Sequence, residues 1–362
     1  MKPTDDSMFL PKKQYTQVRF LPRRLVLLGV LACILWLSGC APATNIAGIP
    51  NALDTRGPVS SVIATEWWIQ LALGSVVYLV VVGILLYIVF SRGIRDRRTG
   101  DVEVLHETGD RGMAWILWGG VILPVIILAG LLGLSIYGHI RLAGPDEPPV
   151  LQVEVIGHRW WWEVRYPDEG IVSANEIHIP VGRPVEIHLT SRDVIHSFWV
   201  PQLAGKLDLN PGETNSMWLQ ANEPGIYRGI CAEFCGLQHA NMQFLVVASS
   251  EAAFQEFLDR ERQDAPEPDD EQVLFGQQVF LGSSCVYCHT VRGTNATGEL
   301  GPDLTHIASR LTIGAGILEN NRGNLAGWII DPQTFKPGNL MPPTNLTGAE
   351  LQAMLAYLDT LR

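Results

Sequence analysis

Cysteine is scarce: six occur in 362 residues. That is too few for a disulfide scaffold: Cys231, Cys235, Cys285 and Cys288 fall in two tight motifs, Cys33 sits in an apolar run and Cys40 ends that run, so no pair is left for a structural bridge. Positive charge is also short. The chain has 26 Lys+Arg against 37 Asp+Glu, a net charge of −11, which argues against nucleic acid as a partner. No internal repeat is visible. Apolar residues, by contrast, are in excess at 47%. The excess is local, which points to membrane segments, and the length allows two or three domains.

The amino terminus has the order of an export signal. Residues 1–24 carry Lys12, Lys13, Arg19, Arg23 and Arg24, and an apolar run follows from Leu25 to Leu37. That run suits a signal core and is short for a bilayer span. It ends in Leu37-Ser38-Gly39-Cys40, which resembles a bacterial lipobox. Residues 1–39 therefore read as a lipoprotein-type signal peptide, cleaved before Cys40, with lipid on the Cys40 sulfur. The alternative is an uncleaved short anchor with a chance cysteine.

Within 60–140 lie two spanning runs, about 67–90 and 114–137, each 24 residues. At about 1.5 Å per residue each reaches roughly 36 Å, enough for a tilted transmembrane helix. Trp67, Trp68, Tyr87, Trp115, Trp118 and Tyr137 cluster towards the ends, as interfacial aromatics do. The connection holds Arg92, Arg95, Arg97, Arg98 and Arg111, while the other flanks hold only Arg56 and Arg141. The positive-inside rule puts that loop in the cytoplasm and everything beyond 140 outside. A buried core hairpin is the other reading of the two runs.

From Leu151 apolar and polar residues alternate, and Pro180, Gly182, Pro184, Pro211-Gly212 and Pro224-Gly225 punctuate short runs. This pattern predicts an antiparallel β-sandwich or barrel over 150–250. A short helix, Glu251 to Arg262, closes it. The acidic, proline-bearing stretch 263–271 reads as a linker. The region 271–362 looks helical and loop-rich, with a capping box at Thr347-Gly-Ala-Glu350 opening a last helix.

Two motifs carry chemistry. In the first, Cys231 and Cys235 are four apart, His239 is four further and Met242 three beyond, with His196 upstream. Soft thiolates with imidazole and a weak thioether favour copper in an electron-transfer site, and two sulfurs can bridge two metals. Structural zinc and a redox disulfide remain the competitors; zinc would leave Met242 and His196 unexplained. In the second, Cys285-Val-Tyr-Cys288-His289 is a c-type haem attachment, with His289 the proximal ligand. Met341 is the expected sixth ligand and Met354, inside the last helix, its competitor. A redox dithiol is the other reading of the two cysteines, and His306 reads as structural.

Residues 60–250 resemble subunit II of haem–copper oxidases. The matching residues are Gly157-His158-Arg159-Trp160-Trp161-Trp162, Asp193-Val-Ile-His196-Ser-Phe, Pro211-Gly212 and the 231–242 loop. The resemblance implies a cupredoxin-like domain with a dinuclear CuA centre. Cys231 and Cys235 would bridge the coppers, and His196 and His239 would be the terminal imidazoles. Met242 and the backbone carbonyl of Glu233 would be the weak ligands, and the Glu233 carboxylate would reach a magnesium shared with subunit I. Trp160 matches the aromatic through which electrons reach CuA, while Trp161 and Trp162 read as core packing. Three tryptophans stand where the family often has Trp-Tyr-Trp. A glutamate that many members carry before the second helix, at a proton channel of subunit I, has no clear match; Glu107 and Asp110 are the candidates, and solvated loop charges the plainer reading.

Residues 271–362, with Gly301-Pro-Asp-Leu-Thr-His306 and Trp328, resemble a class I cytochrome c. Together the parts look like the subunit II of caa-type oxidases: a two-helix transmembrane hairpin, a cupredoxin-like β-sandwich and an all-α cytochrome c domain. The resemblance implies a subunit of a proton-pumping cytochrome c oxidase on the outer face of a bacterial cytoplasmic membrane. Electrons would pass from a cytochrome c or a cytochrome bc complex to the haem, then to CuA, then to subunit I, with subunit III also present. Oxygen chemistry would belong to subunit I, because only His106 lies between the two apolar runs and His139 after them. From 264 onwards eleven Asp/Glu face five Lys/Arg, a surface for a basic donor or simply a solvated one. Other readings are a membrane-tethered carrier feeding another reductase, for nitric or nitrous oxide. Intact copper ligands disfavour a quinol oxidase.

Overall fold

The computed structural model describes residues 51–99, 110–145 and 147–362. The expected signal peptide, Cys40 and Glu107 lie outside the described residues. Helix α1 runs Pro58–Thr99, 42 residues, well past both ends of its apolar run. Pro58 suits a first helical position, where a missing N–H costs nothing. The second spanning segment is α2 (Asp110–Leu117), a π-helical turn (Trp118–Ile122) and α3 (Leu123–Leu142). Pro124 explains the turn. It has no N–H for the carbonyl four residues back, and the ladder widens so that Leu123 bonds Trp118 instead. Apolar side chains face outward along α1 and α3, as on helices whose surroundings are lipid or another membrane chain.

Both spanning segments are fastened to the domain above them. Arg56 N–H donates to the Gln202 carbonyl (2.7 Å), and the Ser60 hydroxyl donates to the same oxygen (2.8 Å). At the end of α3, Trp218 Nε1 donates to the Leu142 carbonyl (3.1 Å).

The outer domain is a sandwich of two five-stranded sheets. One has the order β3-β2-β1-β5-β8, from Ile171–Ala174, Trp161–Tyr166, Leu151–His158, Val185–Ser191 and Asn215–Leu219. The other is β4-β10-β9-β6-β7, from Glu176–Pro180, Gln243–Ser249, Gly225–Cys231, His196–Trp199 and Leu207–Leu209. The β1–β5 and β4–β10 pairs are parallel and the rest antiparallel, so the sandwich is mixed rather than purely antiparallel. Alternation along β1 and β5 sends Val153, Val155, Ile187 and Leu189 inward, where Trp162 meets Phe198 and Phe244 edge-on. Helix α4 (Glu251–Glu261), capped by Ser250, lays Phe257 on His178.

The stretch after α4 is not a free tether. Gln263 carbonyl accepts from Arg292 Nη2 (3.0 Å) and lies 3.1 Å from His306 Nε2, and Ala265 N–H donates to the Arg292 carbonyl (3.0 Å). Four helices follow: α5 (Glu271–Gly282), α6 (Arg322–Ile330), α7 (Pro332–Phe335) and α8 (Gly348–Thr360), with two short β ladders between α5 and α6. α8 opens with the Thr347/Glu350 capping box, and α5 packs on it through Phe280 and Tyr357.

Candidate metal centres and the wall between them

The sandwich brings one donor set together from two strand ends and a loop. His196 opens β6, Cys231 closes the neighbouring β9 opposite Phe198, and the loop to β10 supplies Cys235, His239 and Met242. The two sulfurs are 3.8 Å apart. His196 Nδ1 lies 4.0 Å from Cys231 Sγ and His239 Nδ1 3.7 Å from Cys235 Sγ. Met242 Sδ is 3.8 Å from Cys235, and the Glu233 carbonyl 3.2 Å from Cys231. The Glu233 side chain is exposed.

The electrostatics favour a cation here. Hydrogen bonding from the Cys235 thiol pulls Cys231 down to about 3 against its burial, with His196 helping; the same neighbouring sulfur pushes Cys235 well up. Two thiolates this close ionise together only around a positive ion. Burial alone would lower His196, but Asp193 and Cys231 outweigh it and hold the imidazole above its ordinary value. Asp193 takes the Nε2 side at 2.9 Å, which leaves Nδ1 towards the sulfur; a carboxylate on the far nitrogen commonly fixes the ring of a metal-binding histidine in this way. Asp193 also accepts from the Arg159 N–H (2.8 Å), so one carboxylate orients His196 and the turn that bears Trp160. Despite burial, those hydrogen bonds hold Asp193 down at about 2. Gly157 lets the strand pass His196: a Cβ there would sit 2.7 Å from its Cδ2.

A cavity of about 430 Å³ opens within the helical domain, against the sandwich, large enough for a prosthetic group. Cys285, Cys288 and His289 stand on one side, Met341 and Met354 line it too, and Phe280, Leu325, Ile329 and Leu358 supply apolar wall. His289 Nδ1 is 2.7 Å from the Pro302 carbonyl, which fixes the ring, and a Cβ on Gly301 would press on it at 2.7 Å. Desolvation holds His289 below its ordinary value, in the neutral form that binds metal. This chemistry fits a covalently attached haem. His306 does not reach the cavity; its Nδ1 meets the Arg362 carbonyl (2.8 Å) and it serves the fold.

The cavity's remaining wall comes from the sandwich. Arg159, Trp160 and Trp161 line it. Trp160 Nε1 donates to the Cys235 carbonyl (3.0 Å), so one indole touches both the cavity and the sulfur loop. Trp161 stacks on His158 at 4.3 Å and lines the cavity rather than the core, whereas Trp162 is fully buried in the core and Trp160 lies at the core's edge against the cavity. Lys336 also lines the cavity, from α7's end, and is 2% exposed. Burial pushes it down to about 7, against attraction from Cys235. Sequence reasoning passed over it. The one available signal was rarity: it is the one lysine after residue 206.

The family "Cytochrome C oxidase subunit II, periplasmic domain" matches residues 171–249, and the family "Cytochrome c" matches 273–362. Cytochrome c oxidase subunit 2 of Alkalihalophilus pseudofirmus is 35% identical over 355 residues, covering 96% of this chain and 98% of the relative. That of Bacillus subtilis is 30% identical over 361 residues, covering 94% and 98%. A solved periplasmic domain of cytochrome oxidase subunit II from Bradyrhizobium japonicum is 26% identical with a TM-score of 0.32, covering 33% of this chain and 97% of that one. Copper and haem are thus the cofactors of the two outer domains. The chain belongs to the cytochrome c oxidase subunit II family, in the form with a carboxy-terminal cytochrome c domain, and is a membrane-anchored electron-transfer subunit of a terminal haem–copper oxidase.

Proposed function

We propose that the chain receives electrons at its cytochrome domain and delivers them through a dinuclear CuA centre to subunit I, where oxygen is reduced with proton pumping. Bound haem and paired copper supply reversible one-electron chemistry; the chain supplies ligands, geometry and insulation. Cys285 and Cys288 would attach the haem, His289 and Met341 would ligate it, and the Pro302 carbonyl orients His289. Cys231, Cys235, His196 and His239 would hold the copper, with Met242 and the Glu233 carbonyl as weaker donors, a role their mutual proximity supports. The exposed Glu233 carboxylate is free to reach a magnesium at the subunit I boundary.

The observation that carries this reading is Trp160, which walls the haem cavity while its indole N–H binds the carbonyl of Cys235. A cytochrome c or a cytochrome bc complex is the donor, subunit III completes the assembly, and both outer domains stand on the outer face of a bacterial cytoplasmic membrane. The test is metal and haem analysis of the oxidase purified from membranes. Two coppers with a mixed-valence near-infrared band and one haem are expected in this chain; one zinc would overturn the copper assignment. Met341→Ala should abolish the sulfur-to-iron band, and its survival would transfer the sixth position to another residue, Met354 first.

A further inference from the structure

Lysine is rarely so buried unless paired, and among the described residues Lys336 has no carboxylate partner. Its Nζ instead donates to three carbonyls: Trp160 (2.7 Å), Asn241 (2.7 Å) and Gly314 (2.9 Å). An ammonium has three N–H and no acceptor, so three carbonyls use it completely. The three acceptors lie on three segments. Trp160 is in the β1–β2 turn, Asn241 is next to Met242 in the copper loop, and Gly314 belongs to the cytochrome domain itself.

We propose that Lys336 is the positioning residue that holds the cytochrome domain on the copper domain with Trp160 closing the haem cavity. The inference rests on the haem-to-copper reading above. A packing role would be met by any four-carbon chain, whereas three short charge-assisted hydrogen bonds fix both distance and direction. Trp160 is gripped twice, at its carbonyl by Lys336 and at its indole by the Cys235 carbonyl. Around this point the domains exchange further hydrogen bonds. Leu311 and Thr312 N–H donate to buried Glu176 (2.7 and 3.1 Å), Gln243 N–H to the Ala315 carbonyl (3.0 Å), and Gln238 Nε2 to the Pro337 carbonyl (2.8 Å). Those bonds lie along the seam; Lys336 alone joins the cavity wall, the copper loop and the cytochrome domain at one atom. Removing it strands three carbonyls at the seam, each a desolvated acceptor without a donor.

The test uses the whole oxidase carrying Lys336→Met. The haem is reduced by a light pulse, and its reoxidation is followed together with the copper near-infrared band. Haem-to-copper transfer should slow by about tenfold or more, since small misplacements at a reacting junction are costly. Haem spectrum, copper content and donor-to-haem rate should stay unchanged, and the Leu311, Thr312 and Gln243 amides should exchange faster. An unchanged transfer rate overturns the proposal, even with a lowered melting temperature. Lys336→Gln, shorter but with two N–H donors, should fall between wild type and K336M. If neither variant assembles with haem and copper, Lys336 is a folding residue and the positioning role is overturned. If the wild-type oxidase itself shows no haem-to-copper transfer, the functional reading fails and this inference falls with it.

Discussion

The copper end of the chain is made of strands that close on their donors; the haem end is made of helices around a space. At the copper end the ligand atoms of His196, Cys231 and Cys235 lie within 4.8 Å of one another, held by ladder pairing and by Asp193. At the haem end the ligands stand at the edge of a cavity of about 430 Å³. The sandwich specifies its site by backbone register, while the cytochrome domain specifies a volume that only its prosthetic group completes.

The largest expected effect follows from that volume. Without the prosthetic group Phe280, Leu325, Ile329 and Leu358 lose the apolar surface they pack against, and lost core packing of this kind is the largest single class of destabilisation. A chain with Cys285→Ala and Cys288→Ala should lose the folded cytochrome domain, seen as lost helical dichroism and proteolysis beyond residue 263. Chelating the copper should leave the sandwich protected. Equal resistance of the two apo domains would remove the contrast.

Next is Asp193→Asn. It removes the carboxylate that orients His196, and loss of such a partner typically lowers metal affinity about 10–100-fold. A copper competition titration measures it; unchanged affinity would mean that the ladder alone sets the imidazole. Gly157→Ala should follow, because its Cβ would press on His196 and overpacking costs about 1–3 kcal/mol. The copper domain should melt earlier and the cytochrome spectrum should not move.

The smallest effect is a pH dependence of the sandwich. Burial would raise Glu163, but hydrogen bonds from His158 and Arg165 hold it below the ordinary carboxylate value. A depressed carboxylate contributes stability that is present above its ordinary value and lost as pH falls through the folded one. Thermal unfolding from pH 6 to pH 3 should show that loss in the wild type and a flatter profile in Glu163→Gln.

The two clusters were legible in the sequence because their residue types and spacing are restrictive: Cys231, Cys235, His239 and Met242 come from one loop, and Cys285, Cys288 and His289 from one turn. The sandwich and the capping box were legible from periodicity and local hydrogen bonding. Three things were not. Helix α1 outruns its apolar stretch, since hydrophobicity marks the bilayer and not where a helix stops. The stretch after α4 has a linker's composition, but its backbone partners, Arg292 and His306, lie about 30 to 43 residues away in sequence. Lys336 was invisible because its burial arises from docking against a residue 176 positions earlier, which no local pattern records.

In the proposed route electrons leave the haem cavity for the copper loop across Trp160, within one chain. The most direct measurement is pulsed photoreduction of the haem in the purified oxidase, with haem and copper absorbance recorded together. Haem reoxidation and copper reduction should occur in a single coincident phase, independent of oxidase concentration. Reoxidation without a matching copper signal, or at a rate that scales with concentration, would contradict it.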